Sequence, residues 1–277
     1  MTPLAGEDTR IRADELLTRM ERVPFSRWHT NARIVMGSAT FFDAFNALSL
    51  AFALPTLIRL WQITPQQSGY LISASYVGQL AGALFFSSLA ERIGRTRGTA
   101  AAVAIMSVMS FGCALAGNFS ALLVCRLVQG VGVGGEMPVA ATYVNELSQT
   151  HGRGRFFLLY EMIFPVGLMA TGQIGAWLVP QWGWQSIFLL GGIPGLVIAF
   201  LVLRLPESPR WLISKCRFDQ AEAVIREIEA STERRIHATP RGGLPIAPAA
   251  AVRGGLRRWS ELVSGFYRGR TLIVAVL

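Results

Sequence analysis

The sequence predicts an all-α membrane protein: a six-transmembrane-helix bundle, then a cytoplasmic helical connector and the start of a seventh helix. Three observations carry this prediction. Hydrophobic residues make up 52% of the 277 and charged residues only 16%, with mean hydropathy +0.41, above what a water-soluble domain carries. Six uncharged or nearly uncharged runs approach the roughly 20 helical residues that a hydrocarbon core of about 30 Å requires. The basic residues fall almost entirely on alternate loops, as membrane orientation demands.

Taken in order, residues 1–33 form a polar tail that mixes Arg with Glu and Asp. They are no cleavable signal peptide, because the apolar run behind them is too long for a signal core. The spans follow at Ile34 to Leu57, Gly69 to Leu89, Thr99 to Ala116, Ala121 to Val144, Phe156 to Val179 and Ser186 to Leu203. The outer loops, Gly117 to Ser120 and Pro180 to Gln185, are short, so consecutive helices become antiparallel neighbours. Gly78 and Gly82 form a G-x-x-x-G pair, and Gly130, Gly132, Gly134 and Gly135 stud span four. Such small residues let backbones approach where lipid supplies no hydrophobic drive. Residues 204–270 read as a cytoplasmic connector. Within it, Asp219 to Glu233 carries apolar residues at 221, 224, 225 and 228, the spacing of a short amphipathic helix, before a Pro, Gly and Arg-rich stretch to about 258. Residues 271–277, Thr271 to Leu277, begin a seventh span that the chain does not complete.

Of the 26 Lys and Arg, six lie in the tail, three in the loop after span two, two after span four and thirteen after span six. The opposite loops hold only Arg59, and Arg126 lies inside span four. The positive-inside rule therefore places both ends of the chain in the cytoplasm. The same distribution explains the net charge of +9 without a nucleic-acid partner, since no basic face is concentrated on a folded surface.

An ionisable side chain inside a span costs about 2.5 to 3.5 kcal/mol on insertion scales, so each is a functional candidate. Four qualify: Asp43, Arg126, Glu136 and Glu161. At a rise of 1.5 Å per residue, Asp43 lies roughly 15 Å from the cytoplasmic end of span one, near mid-membrane, where transporter substrates and coupling ions bind. Arg126 lies roughly 8 Å below the outer surface, and its long side chain can reach a carboxylate on span one. Glu136 and Glu161 fall roughly 8 Å from the cytoplasmic face on consecutive antiparallel helices, where two carboxylates can share one polar cavity and one proton. Each of these residues could instead be a fixed polar contact that fastens the bundle, and so could Gln129, one turn from Arg126. Cys113, Cys125 and Cys216 have no metal-ligand spacing, and His29, His151 and His237 lie outside the spans with no ligand partner. No metal or other cofactor is expected. The absence of a G-x-x-x-x-G-K-[ST] string excludes ATP as the energy source and leaves an ion gradient. No nucleophile and base constellation indicates an enzyme.

Four stretches carry a resemblance to a known family. Leu89-Ala-Glu-Arg-Ile-Gly-Arg-Thr-Arg97 between spans two and three resembles the major-facilitator signature G-x-x-x-D-R-x-G-R-R. Span four carries Arg126-Leu-Val-Gln-Gly-Val-Gly-Val-Gly-Gly-Glu136 and runs to Asn145-Glu146, and His151-Gly-Arg-Gly-Arg155 is similar to the R-G-R that follows it in sugar porters. Leu205-Pro-Glu-Ser-Pro-Arg-Trp211 resembles the motif that closes their sixth helix. Phe42-Asp-Ala-Phe-Asn46 with Gly134-Gly-Glu136 points to the branch of niacin-transporter-like and synaptic-vesicle-protein-related carriers. Ser87, Glu91 and Thr96 depart from the signature, and Asn46 stands where relatives often have an acid.

The resemblance implies the amino-terminal half of a major facilitator fold. It implies a proton-coupled carrier of a small organic solute, an organic anion such as an aromatic or nicotinate-like carboxylate, or a sugar. Two six-helix bundles would rock around a central site in a multi-pass protein of the bacterial inner membrane. An Asp on span one against Arg126 would couple protons, with Asn46 at the position of that Asp and Asp43 one turn away. Glu91, Arg92, Arg95, Arg97, Glu146, Arg153, Arg155, Glu207 and Arg210 would form an ion-pair gate on the cytoplasmic side, the arginines serving also as topology determinants. Beside this stands a second reading: a truncated, non-transporting membrane protein or interaction module that needs a missing carboxy-terminal half.

Overall fold

Residues 4–148 and 153–236 are described by the structure, a computed structural model. Ten helices occur among them: α1 (Leu4–Arg22), α2 (Arg27–Trp61), α3 (Pro65–Ile93), α4 (Arg95–Ala114), α5 (Phe119–Leu147), α6 (Arg153–Glu161), α7 (Ile163–Trp182), α8 (Gln185–Leu203), α9 (Pro209–Ser214) and α10 (Phe218–Ile236). Six stretches are long and apolar enough to cross a membrane: α2, α3, α4, α5, α8, and Gly154–Trp182, which α6 and α7 share. The run Thr271 to Leu277 and the Pro, Gly and Arg-rich stretch before it lie outside the described residues, as do His151 and His237.

Helix ends fall beyond the apolar windows because capping chemistry, not hydropathy, sets them. Thr64 accepts the Gln67 amide proton on Oγ1 at 3.2 Å while Gln67 Oε1 accepts from the Thr64 amide at 2.9 Å. This reciprocal capping box, with Pro65 in the first turn, starts α3 four residues before Gly69. Asn118 accepts from the Ala121 amide at 2.8 Å and starts α5. The span expected from Phe156 to Val179 is present as Gly154–Trp182. Within it the helix lapses for one residue at Met162, close to Pro165, which has no N–H to offer the carbonyl of Glu161.

The expected glycine packing is present and reciprocal. A methyl group on Gly78 would strike the carbonyl of Leu127, and one on Gly82 the carbonyl of Val131. From the other side, Gly130 faces the Ser75 carbonyl and Gly134 the Gln79 carbonyl. The backbones of α3 and α5 are thus in direct contact, which only hydrogen side chains permit. Gly132, two residues round the helix from these, presses on Ala102 and Met106 of α4. Helix α5 is therefore held between α3 and α4, α4 packs on α8, and α2 packs on α7 and α8.

One end of the bundle carries a second, smaller layer. Leu16 and Met20 of α1 pack with Trp211, Leu212 and Ile213 of α9 and with Ala221 and Ile225 of α10. Ion pairs flank this core: Arg12 to Asp219 at 2.7 Å, Arg19 to Glu229 at 2.8 Å and Arg210 to Glu21 at 3.5 Å. The tail expected to be only polar thus contains a helix. Its Ala13, Leu16, Leu17 and Met20 lie on one face, at the spacing that makes α1 amphipathic.

Candidate functional site

Two groups of buried polar residues lie inside the bundle. The first joins four helices. Arg126 on α5 donates from Nη1 to Gln129 Oε1 at 2.7 Å and to the carbonyl of Asn46 on α2 at 3.3 Å. Gln129 Nε2 donates to Ser110 Oγ of α4 at 2.6 Å and to Asn46 Oδ1 at 3.2 Å, and Ser110 donates to the same Oδ1. Asn46 Nδ2 reaches the carbonyl of Gly191 on α8 at 3.5 Å. Gly191 must be glycine here, because a Cβ would fall 2.6 Å from Asn46 Oδ1. Every acceptor of Arg126 is neutral. Its Nε is buried without a partner, and it forms no ion pair among the described residues.

The expected Arg126 and Asp43 pair is therefore absent. Asn46 stands at the level of Arg126, while Asp43, a turn back along α2, joins the second group instead. There Glu136 of α5 accepts from Thr40 Oγ1 of α2 at 2.9 Å, and Thr40 Oγ1 lies 2.6 Å from the hydroxyl of Tyr160 on α6. Asp43 and Glu161 are both within electrostatic reach of Glu136. Asp43 Oδ1 and Glu136 Oε2 are buried without a hydrogen bond. Glu161, the last residue of α6, is half-buried beside the break in span five. Glu161, expected to share a polar cavity with Glu136, lies within its electrostatic reach; Thr40 and Tyr160 were not legible, since a lone hydroxyl in a span carries no motif.

At the α1, α9 and α10 end, part of the expected charge cluster assembles. Arg95 Nη2 lies 2.7 Å from Glu91 Oε1 and 3.1 Å from Glu146 Oε1, tying the end of α3 to the start of α4 and the end of α5. Glu207 joins by another chemistry. Its carboxylate accepts from the Arg95 amide at 2.8 Å, from the Thr96 amide at 3.3 Å and from Thr96 Oγ1 at 2.9 Å, and so caps the N-terminus of α4 from a distant segment. Gly94 makes room for it: its φ is +108°, and a Cβ would collide with Glu207 Oε2. Trp211 Nε1 donates to the Glu91 carbonyl at 3.2 Å, closing the lock. Arg210 pairs with Glu21 of α1. Arg92, Arg97 and Arg155 are exposed and enter no ion pair among the described residues, and the side chain of Arg153 lies outside what is described.

Comparison with known proteins now decides the family. Residues 31–242 match the family model described as sugar (and other) transporter. The chain belongs to the sugar (and other) transporter family. Within this family of major facilitators, it is 32% identical to the niacin transporter NiaP of Acinetobacter baylyi, over 94% of this chain and 58% of that protein. It is 31% identical to the 4-hydroxybenzoate transporter PcaK of Pseudomonas aeruginosa, over 91% of this chain and 55% of that one. The chain spans about half the length of the curated relatives it matches. Among solved structures, the xylose transporter XylE from E. coli in a partially occluded inward open conformation superposes with a TM-score of 0.68 at 20% identity. That match covers 76% of this chain and 56% of XylE, and shows the shared fold. Membership of this family, with six stretches long and apolar enough to cross a membrane, makes the chain an integral, multi-pass membrane protein of a family of transporters rather than of enzymes.

Proposed function

We propose that this bundle is one half of a proton-coupled carrier for a small aromatic monocarboxylate, working by alternating access against a second six-helix bundle. The observation that carries the reading is Arg126: a fully buried guanidinium whose hydrogen-bond acceptors are all uncharged. An unneutralised charge in a span is costly, and a carboxylate solute would neutralise it. The relatives named for niacin and 4-hydroxybenzoate transport carry aromatic carboxylates, which supports that class over a sugar. The second bundle is inferred from the greater length of those relatives. Asp43, Glu136 and Glu161 are the proton-binding groups in this reading, and Asn46 and Gln129 hold Arg126 in place.

The basic end faces the cytoplasm by the positive-inside count, and the bacterial sources of the relatives favour a bacterial inner membrane. Residues 34–203 are the transporting bundle, and the described residues 4–33 and 204–236 its cytoplasmic layer. The Glu91, Arg95 and Glu146 cluster with the Glu207 cap forms the gate, closed outward-facing and released when the halves rock. Arg95 is buried against half-buried Glu146 and exposed Glu91, so breaking the cluster leaves a desolvated charge, and a bistable balance needs another site for it in the other state.

Equilibrium binding of labelled benzoate and nicotinate to the chain, with and without a relative's carboxy-terminal bundle, tests the reading. Arg126→Gln should weaken carboxylate binding by about 30-fold or more, Arg126→Lys by less, and xylose should not compete. Binding indifferent to Arg126→Gln would contradict it.

A further inference from the structure

The second buried group contains an unbroken line of hydroxyls that ends at the interruption of span five. Glu136 Oε1, Thr40 Oγ1 and Tyr160 Oη are joined by contacts of 2.9 and 2.6 Å, and all three residues are at most 1% exposed. Thr40 also lies 3.4 Å from the carbonyl of Met36, a longer and weaker alternative for its proton. The groups facing Glu136 are Asp43 from α2 and Tyr160 and Glu161 from α6; no Arg or Lys pairs with it among the described residues. Tyr160 precedes Glu161, the last residue of α6, whose carbonyl receives no N–H from Pro165. A buried carboxylate with no cation beside it, joined to two hydroxyls in succession with a half-buried carboxylate next along the chain, is an arrangement suited to proton transfer.

We propose that Thr40 and Tyr160 form a proton wire that loads and unloads Glu136 from Glu161 at the span-five break. This rests on the proton-coupled reading above and adds the path. With Glu136 ionised, Tyr160 donates to Thr40 and Thr40 donates to Glu136. A proton delivered to Tyr160 Oη displaces that hydroxyl's own proton to Thr40 Oγ1, which passes its proton to Glu136 Oε1. Each hydroxyl oxygen gains one proton and loses one, Glu136 gains one and Glu161 loses one, both hydroxyls finish neutral, and the hydrogen bonds point the opposite way. Unloading is the reverse. Glu161 is the donor and acceptor at the outer end, and Asp43 stays beside the loaded acid without being a link.

The test is the rate at which the protonated Glu136 carboxyl band forms in infrared difference spectra after a pH jump, on the whole chain in nanodiscs, with Glu136→Gln identifying the band. Tyr160→Phe keeps the ring and the Thr40 bond to Glu136, so its titration midpoint should stay put. Its protonation rate should fall about a hundredfold, the low end of what a positioned proton-transfer group contributes. Thr40→Val should slow the rate likewise, and Thr40→Ser should restore it. A merely structural role predicts a shifted midpoint or lower thermal stability with unchanged rate, and that result would overturn the wire, as would Tyr160→Phe at the wild-type rate. Solute-induced proton uptake, measured separately, reads the underlying coupling: a rate that depends on the wire without solute-driven proton movement would refute coupling and leave the wire standing.

Discussion

Glu207 shows how much one side chain can organise. It holds two backbone amides at the start of α4, and Gly94 exists in a left-handed conformation to let it approach. Gly94→Ala should therefore cost about 1 to 3 kcal/mol, since it adds strain at positive φ and pushes the carboxylate away. Thermal unfolding in detergent reads this. Glu207→Ala should lose about 0.5 to 2 kcal/mol, and the double variant less than the sum, because the collision partner has gone. The motif around Glu207 was visible in sequence, but its role was not: a charge among arginines reads as an ion pair, and nothing in the string says that it turns to backbone amides. Arg126 is the converse case. Its burial in a span was legible, while the absence of its carboxylate partner depended on Asn46 lying at its level in place of Asp43.

Among the elements, the contact between α3 and α5 is the least tolerant. Gly130→Val should prevent a monodisperse bundle on size-exclusion chromatography, because its side chain would enter the Ser75 backbone. Gly69→Ala is the control: nothing lies within 4 Å of its Cβ position, and alanine favours the helix, so stability should equal or exceed wild type. Helix α1 behaves differently, since it is held by a small core and surface ion pairs. Leu16→Asp should expose α1 and α10 to proteolysis and leave the six spans protected. Span positions were legible because hydrophobic length is imposed by the bilayer. The lapse at Met162 was not legible, because Pro165 stands in an unbroken apolar run and Pro55, Pro138 and Pro194 lie inside helices that continue through them. Helix α1 was not legible because its four apolar positions are diluted among charges.

For the whole molecule, the family and its six-span bundle were legible from four motifs in register with the hydropathy pattern, and the family match over residues 31–242 agrees. The internal wiring was less so, because hydrogen-bond partners come from helices far apart in sequence: Thr40 meets Glu136 across 96 positions and Tyr160 across 120. The central claim is that Arg126 receives a carboxylate solute while the acids at Asp43 and Glu136 carry the proton. Its most direct test is uptake of labelled benzoate into proteoliposomes under an inward-directed proton gradient, with this chain alone and with a carboxy-terminal six-helix bundle added. The account predicts saturable, gradient-driven uptake when both bundles are present, abolished by Arg126→Gln and uncoupled from the gradient by Glu136→Gln or Asp43→Asn. Uptake that survives Arg126→Gln, or no uptake in either arrangement, would contradict it.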